Sequence, residues 1–394
     1  MNQQKTHSVK IHLQKKPQFL SVLNQSLWLI VLLLFVQLAA ANEQARAAFT
    51  ISALPVADVR QTHPLNEILQ QIPETRVLLV GETHTRYDHH LVQLEVLKQL
   101  YQSRQPLALG VEWFQQPFQQ HLDDYIAGKI TESEMLYLTE YFQRWRYDYR
   151  LYRPIIQYAR EKHIPIIALN ASKELTSALG RGGFDQLSAD LKLQLPESYD
   201  FTDQGYVERL RNVFKMHPNK SGGFENFLIV QLTWDESMAE RTAKYLLQHP
   251  ESRMLVLAGN GHISYGSGIP NRIKRRLKTR PFSILVSDDS LPISPGIADF
   301  LVLSASQSLE PSGLLGIFLE TINGQVVIQG FVEDSAVKDA GIKQGSVIIG
   351  LNKTPIHNYT DLKLALIDSR RGDTVALHYL EKSGDRKSIK ITLR

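Results

Sequence analysis

Within the nine residues from Glu82 to His90 the chain places a glutamate, an aspartate and three histidines, immediately after an apolar run. The stretch reads RVLLVGETHTRYDHH over 76–90. Side chains of these types bind metals, move protons or pair with cations, and they are costly to bury without partners. Glu82 and His84 are two residues apart at the end of an extended run, so both leave it on one side before the loop bends. Glu112 holds the matching place in the run LALGVEW over 107–113, and His262 follows the run ending AGN at Asn260. If those runs are neighbouring strands, Glu82, His84, Glu112 and His262 converge. Two imidazoles with one or two carboxylates suit Zn, Mn, Fe or another divalent ion with open positions. Any one of them alone is more commonly a capping or hydrogen-bonding residue; convergence at one edge makes the case for a site.

A second stretch, FQRWRYDYRLYRP over 142–154, is dense in aromatics and arginines. It could form a flat platform with cationic edges, suited to a planar ligand that carries carboxylates, because Arg pairs with carboxylate and stacks on rings. Tyr147, Tyr149 or Tyr152 could supply an axial phenolate to a haem iron, as tyrosine does in some haem proteins. The alternative is that these rings pack a helix against a sheet. His90 begins an inward helical stripe with Leu94, Leu97 and Tyr101 and could reach the site, whereas His89 reads as solvated. Asn170 and Asn260 end strands, either orienting ligands or forming turns. Gly259 and Gly261 lack the third glycine of a dinucleotide fingerprint, GRGG over 180–183 reads as a loop, and neither a GxSxG elbow nor an HExxH helix is present.

The elements that must position these residues follow from the spacing of apolar runs. Five short runs, 76–82, 107–113, 164–170, 253–260 and 282–288, are apolar until their last residues and then turn polar, and 298–305 adds an edge strand. Longer amphipathic segments separate them: 88–101, a helix opened by the capping box TESE over 131–134 and running through Tyr141, and 226–249. Alternating strands and helices imply an α/β fold with a mostly parallel sheet flanked by helices, whose strand carboxyl ends line one crevice. After residue 305 comes a polar linker, 306–312, and then a small, strand-rich module, 313–394, with one helix around 360–368.

The chain has 394 residues and a net charge of +4, yet Lys5, Lys10, Lys15 and Lys16 are the only charges among the first 41 residues. Removing those four from the 44 basic residues leaves 40 against 40 acidic ones, so nucleic acid is not an expected partner. The lysines, the apolar run 27–38 and AAA at 39–41 are the parts of a secretory signal, cleaved or kept as an N-terminal anchor. The body 57–305 and the module 313–394 are therefore expected to be periplasmic or otherwise exported, or tethered to the inner membrane by an uncleaved leader. With no cysteine in the chain, disulfides, thiolate metal sites and lipoprotein anchoring are excluded.

With LLVGETH, LGVEWF, WRYDYRLYRPII, AREKHIPIIALN, QLTWDESMA and AGNGHISYGSGIPNRI in order, residues 76–305 resemble the ChaN-like haem-binding uptake family of the Tiki and erythromycin-esterase-like superfamily. That resemblance implies an α/β core with its site at the strand ends, haem or a related metal-porphyrin as ligand, two subunits in the assembly and a link to iron acquisition. Relatives elsewhere in the superfamily imply a metal-dependent protease or esterase using the positions of Gly81 to His84 with Glu112 and His262. In that case Glu82 or Glu112 would be the general base, and a divalent metal would replace haem. The segment 313–394 resembles a bacterial PDZ domain, which implies capture of a protein or peptide C-terminus by backbone N–H groups around Leu315, Gly316 and Ile317. A haem-binding protein docked through its PDZ domain is the leading expectation, the hydrolase is the rival, and a scaffold without chemistry is the third.

Overall fold

The computed structural model describes residues 61–72, 75–216, 222–287 and 293–394. The leader 1–41 and the first residues of the body, 57–60, lie outside these, as do Asp288 and Asp289 at the polar end of the fifth predicted strand. Among the described residues no helix is long and apolar enough to cross a membrane.

Six strands, β1 (Val77–Glu82), β2 (Leu107–Gln115), β3 (Ile166–Asn170), β4 (Arg253–Gly259), β5 (Phe282–Ser287) and β6 (Phe300–Leu303), form one sheet in the order β3-β2-β4-β1-β5-β6. All its pairings are parallel. Every residue of β1 is buried, as continuous apolar strands require when helices cover both faces. Alternation then divides the core into two layers. Leu78 and Val80 join Leu109, Val111 and Leu257 on one face, while Val77 and Leu79 join Ala108, Met254 and Val256 on the other.

The helices that bear on the crevice are α1 (Tyr87–Gln102), α2 (Glu132–Leu138), α3 (Tyr141–Arg144), α4 (Arg153–Glu161), α5 (Gly223–Gln248), α6 (Asn260–Ile263) and α7 (Ile269–Leu277). The inward face of α1 is shifted from the predicted stripe. His89, His90, Gln93, Val96 and Leu97 are buried, Leu94 is half-buried and Tyr101 is exposed. The reason is polar, since Gln93 Nε2 donates to the Val80 carbonyl at 3.0 Å and draws that face onto β1. The predicted capping box at Thr131 forms, with Glu134 as its partner, but α2 stops at Leu138. Glu140 takes a left-handed φ of 51°, the single turn α3 follows, and Arg146 is left-handed again at 74°.

The C-terminal segment makes a separate antiparallel sheet from β7 (Ile317–Ile322), β8 (Gln325–Phe331), β9 (Val347–Leu351), β10 (Thr354–Pro355), β11 (Thr374–Leu380) and β12 (Arg386–Thr392). Its order is β12-β11-β9-β8-β7, with β10 paired to β9. Helix α8 (Tyr359–Ala365), opened by an Asn358–Asp361 capping box, contributes Leu362 to its core beside Leu315, Val326 and Leu377.

Candidate functional site

The carboxyl ends of β1, β4 and β2 lie side by side, and Glu82, His84, Glu112 and His262 meet there. One feature of that meeting differs from expectation: β2 is not the neighbour of β1, because β4 lies between them. Glu82 pairs in register with Gly259, whereas Val111 pairs with Leu257, so Glu112 stands one step behind Glu82. A one-residue offset turns the two carboxylates toward opposite faces of the sheet. They still converge because Gly259, at the end of the strand between them, leaves its space to the His84 ring. A Cβ on Gly259 would stand 2.9 Å from His84 Cε1 and 3.7 Å from Glu112 Oε2. Ligand atoms of Glu82, His84 and Glu112 all lie within 4.8 Å of one another.

Each histidine is oriented by a buried carboxylate. His84 Nδ1 is 2.5 Å from Glu82 Oε1, and the other Glu82 oxygen is buried without a hydrogen-bond partner among the described residues. His262 Nδ1 is 2.6 Å from Asp235 Oδ1, and its Nε2 is 3.4 Å from Glu112 Oε1. Asp235 also accepts from the Tyr206 hydroxyl at 2.5 Å, and Glu112 Oε2 accepts from the Gly259 amide at 2.7 Å. Burial alone would lower both imidazoles. The hydrogen bond His84 donates to Glu82 and the charge of Glu112 outweigh it and raise that group above its ordinary value. Glu112 and Asp235 raise His262 well above its ordinary value. Against its own burial, Glu112 is held down at about 2, chiefly by the His262 charge. His262 and Glu112 thus form an imidazolium–carboxylate pair near neutrality.

The three candidate tyrosines separate cleanly. Tyr149 is a core residue whose hydroxyl donates to Glu132 at 2.9 Å. Tyr152 donates to the His84 carbonyl at 3.2 Å, and His90 is occupied too, with Nδ1 at 3.0 Å from Gln93 Oε1 and Nε2 at 3.2 Å from that same carbonyl. Tyr152 and His90 therefore both hold the backbone of His84. Tyr147 is half-buried, its ring centroid 4.9 Å from that of His84, and its hydroxyl has no hydrogen bond among the described residues. Burial, then the fields of Glu82 and Glu112, raise its phenol above the ordinary range. Trp145 completes the face at 4.9 Å from His84, and Arg146 between the two rings is exposed with no ion pair among the described residues.

His89 is fully buried, against the solvated position expected, because its Nδ1 accepts from the Thr83 amide at 3.0 Å and pins the loop after β1. Asn170 Nδ2 donates to the Glu112 carbonyl at 3.1 Å, and Asn260 Nδ2 reaches the Val286 carbonyl at 3.4 Å. Spacing did not reveal Asp235, Tyr206 or the role of Gly259. An acid inside the apolar run of α5, within WDESMA, was the available signal for Asp235. A cleft of about 910 Å³ also opens near the amino ends of β2 and β4, lined by Arg104, Lys162, His163, Tyr245 and His249 with Glu251 as its one acid. It lacks the paired carboxylates of the crevice. Gly259→Ala tests the close approach: the added methyl displaces the His84 imidazole, so ligand affinity falls at least tenfold in a titration while the melting temperature drops by only a few degrees, about 1 kcal/mol of strain.

An open α/β sheet with a carboxylate- and imidazole-lined crevice at its strand ends is the class these observations define. Residues 68–273, more than half of the chain, match the family model described as "Haem-binding uptake, Tiki superfamily, ChaN", and the chain belongs to that family. Residues 313–393 match the PDZ domain model. No curated protein matches the chain. A solved structure described as "Cofacial heme binding to ChaN of Campylobacter jejuni" is 17% identical, with a TM-score of 0.50, over 62% of this chain and 94% of that one, which shows a shared fold. The PDZ domain of a carboxy-terminal protease from Vibrio cholerae, solved with a peptide, is 20% identical over 22% of this chain and 95% of that one, with a TM-score of 0.19.

Proposed function

We propose that the chain binds haem at the mouth of the crevice, where the Tyr147 hydroxyl would hold the iron and Arg146 would pair with a propionate. The observation that carries this reading is the Tyr147 hydroxyl, without a hydrogen bond among the described residues and set beside two other rings and an arginine unpaired among them, where the hydroxyls of Tyr149 and Tyr152 are already engaged. Haem would supply a ferric Lewis acid there, and the protein's part is to present one phenol, one cation and an aromatic face. An exported protein linked to iron or haem uptake, docked through its PDZ domain and pairing with a second copy, is the setting we infer. The leader-like start of the sequence and the PDZ match support it.

Because the phenol of Tyr147 is raised, it is protonated when free near neutral pH and must lose that proton to act as a phenolate ligand. One proton released per ligand bound makes affinity rise about tenfold per pH unit until the folded phenol itself ionises. Haemin titrations between mildly acidic and mildly alkaline pH read that slope directly, and a flat profile would exclude a phenolate ligand.

A second reading has its own observation. The set Glu82, His84 and Glu112 gathers three ligand atoms within 4.8 Å, and one oxygen of Glu82 is buried and unpartnered. Those residues fit a divalent ion, with His262 as a further ligand if it loses its proton, and a base such as Glu82 or Glu112 beside it defines a metal-dependent hydrolase. Metal analysis of the purified protein separates the two readings: stoichiometric divalent metal with no saturable haemin binding favours the hydrolase.

A further inference from the structure

The groove of the second sheet and the crevice of the first share one structural element. A groove of about 400 Å³ runs between edge strand β7 and helix α8, lined by Leu315, Ile317, Leu319, Leu362 and Leu366. Its apolar floor suits an apolar peptide end. Lys363 and Arg371 also line it, and neither has a carboxylate partner among the described residues, whereas Asp334 at its rim is paired to Arg394. The uncompensated charge of the groove is therefore positive, which favours an acidic tail.

Helix α8 has two working faces. Tyr359, Leu362 and Lys363, with Leu366 just past its end, line the groove, while Thr360 and Leu364, with Ile367 beyond, meet the first domain. Gln143 Nε2 donates to Thr360 Oγ1, Asn358 Nδ2 to the Tyr137 hydroxyl at 3.2 Å, and Arg153 pairs with Asp368. Leu364 and Ile367 pack against the same core layer that holds Tyr141, Phe142 and Tyr152. Lys363, a groove residue, also lies over the Phe142 ring at 5.8 Å.

Turn α3 therefore faces two ways. Phe142 and Gln143 touch α8, while Tyr141 points inward, its buried hydroxyl without a partner among the described residues and within the fields of Asp148 and Glu82. The turn is entered through left-handed Glu140 and left through left-handed Arg146, directly before Tyr147. Non-glycine residues in that conformation are strained, and such strain collects at elements with more than one arrangement.

We propose that the groove captures an acidic, apolar-ended peptide tail of a partner protein, and that this capture changes the affinity of the crevice for its ligand through α8 and α3. The effect on haem rests on the haem reading above; the mechanical link does not. The test uses the full chain and a synthetic decapeptide with three acidic residues and a C-terminal valine, beside the same peptide with lysines in place of the acids. The acidic peptide is expected to bind, to slow amide exchange at residues 315–319 and to change it at residues 140–152. It should shift the haemin dissociation constant by roughly fivefold or more, with haemin shifting that of the peptide by the same factor. Thr360→Val removes the Gln143 contact and should abolish both the reciprocal shift and the exchange change at 140–152, leaving each separate affinity in place. Protection confined to 315–319, with 140–152 and haemin affinity unchanged, overturns the coupling. Failure of the acidic peptide to bind, or equal binding of the lysine peptide, overturns the ligand class. If haemin does not bind at all, the haem reading falls, and exchange at 140–152 still decides the link.

Discussion

Replacing Tyr147 by phenylalanine lowers haemin affinity by at least about a hundredfold, ~2.7 kcal/mol, and removes the ferric–phenolate charge-transfer absorption. The substitution deletes one oxygen and keeps the ring that packs on His84 and Trp145, so the aromatic face survives. Tyr149→Phe is the matched control. Its hydroxyl donates to Glu132 inside the core, so that change costs about 1 kcal/mol of stability and leaves haemin affinity and spectrum as they were. Equal losses from both substitutions would mean that the rings matter only as packing.

The second large effect is on stability. Asp235→Ala lowers the unfolding free energy by about 3 kcal/mol in urea titration, because it strips the acceptor from half-buried His262 and from buried Tyr206. The loss depends on pH. The folded-state value of His262 is raised above its ordinary 6.5, so the stabilisation it contributes is fully present below about 6.5 and fades as pH rises through the higher folded value. The gap between the native chain and Asp235→Ala should therefore narrow in alkaline solution. Glu112 behaves in the opposite sense. Held at about 2 in the folded chain, it contributes above its ordinary 4.5 and loses that contribution as pH falls toward 2.

The strands were legible because each buried strand of a parallel sheet must be an unbroken apolar run, and the polar residues at its end mark the crevice. Strand order was not legible. Nothing local records that β4, far along the chain, inserts between β1 and β2, and so the opposite-face approach of Glu82 and Glu112 could not be read. His89 was misplaced because a histidine in the first turn of a helix ordinarily meets water, and only the folded loop supplies the Thr83 amide that buries it. The stretch over 142–154 was open to core packing and to a platform. The fold divides it: Tyr149 and Tyr152 pack, while Trp145 and Tyr147 line the mouth beside His84. Asp235 escaped notice because its partner His262 is 27 residues away on another element, beyond any helical spacing. The contact of α8 with α3 depends on how two domains settle together, which no run of residues in either one encodes.

The central claim, that the crevice mouth is a haem site built on Tyr147, is tested most directly by titrating haemin into the purified full chain while measuring its bound metals. The account predicts a saturable Soret shift that grows with pH and is lost in Tyr147→Phe. Haemin uptake no greater than that of an unrelated protein, with a divalent metal bound at one per chain, would contradict it.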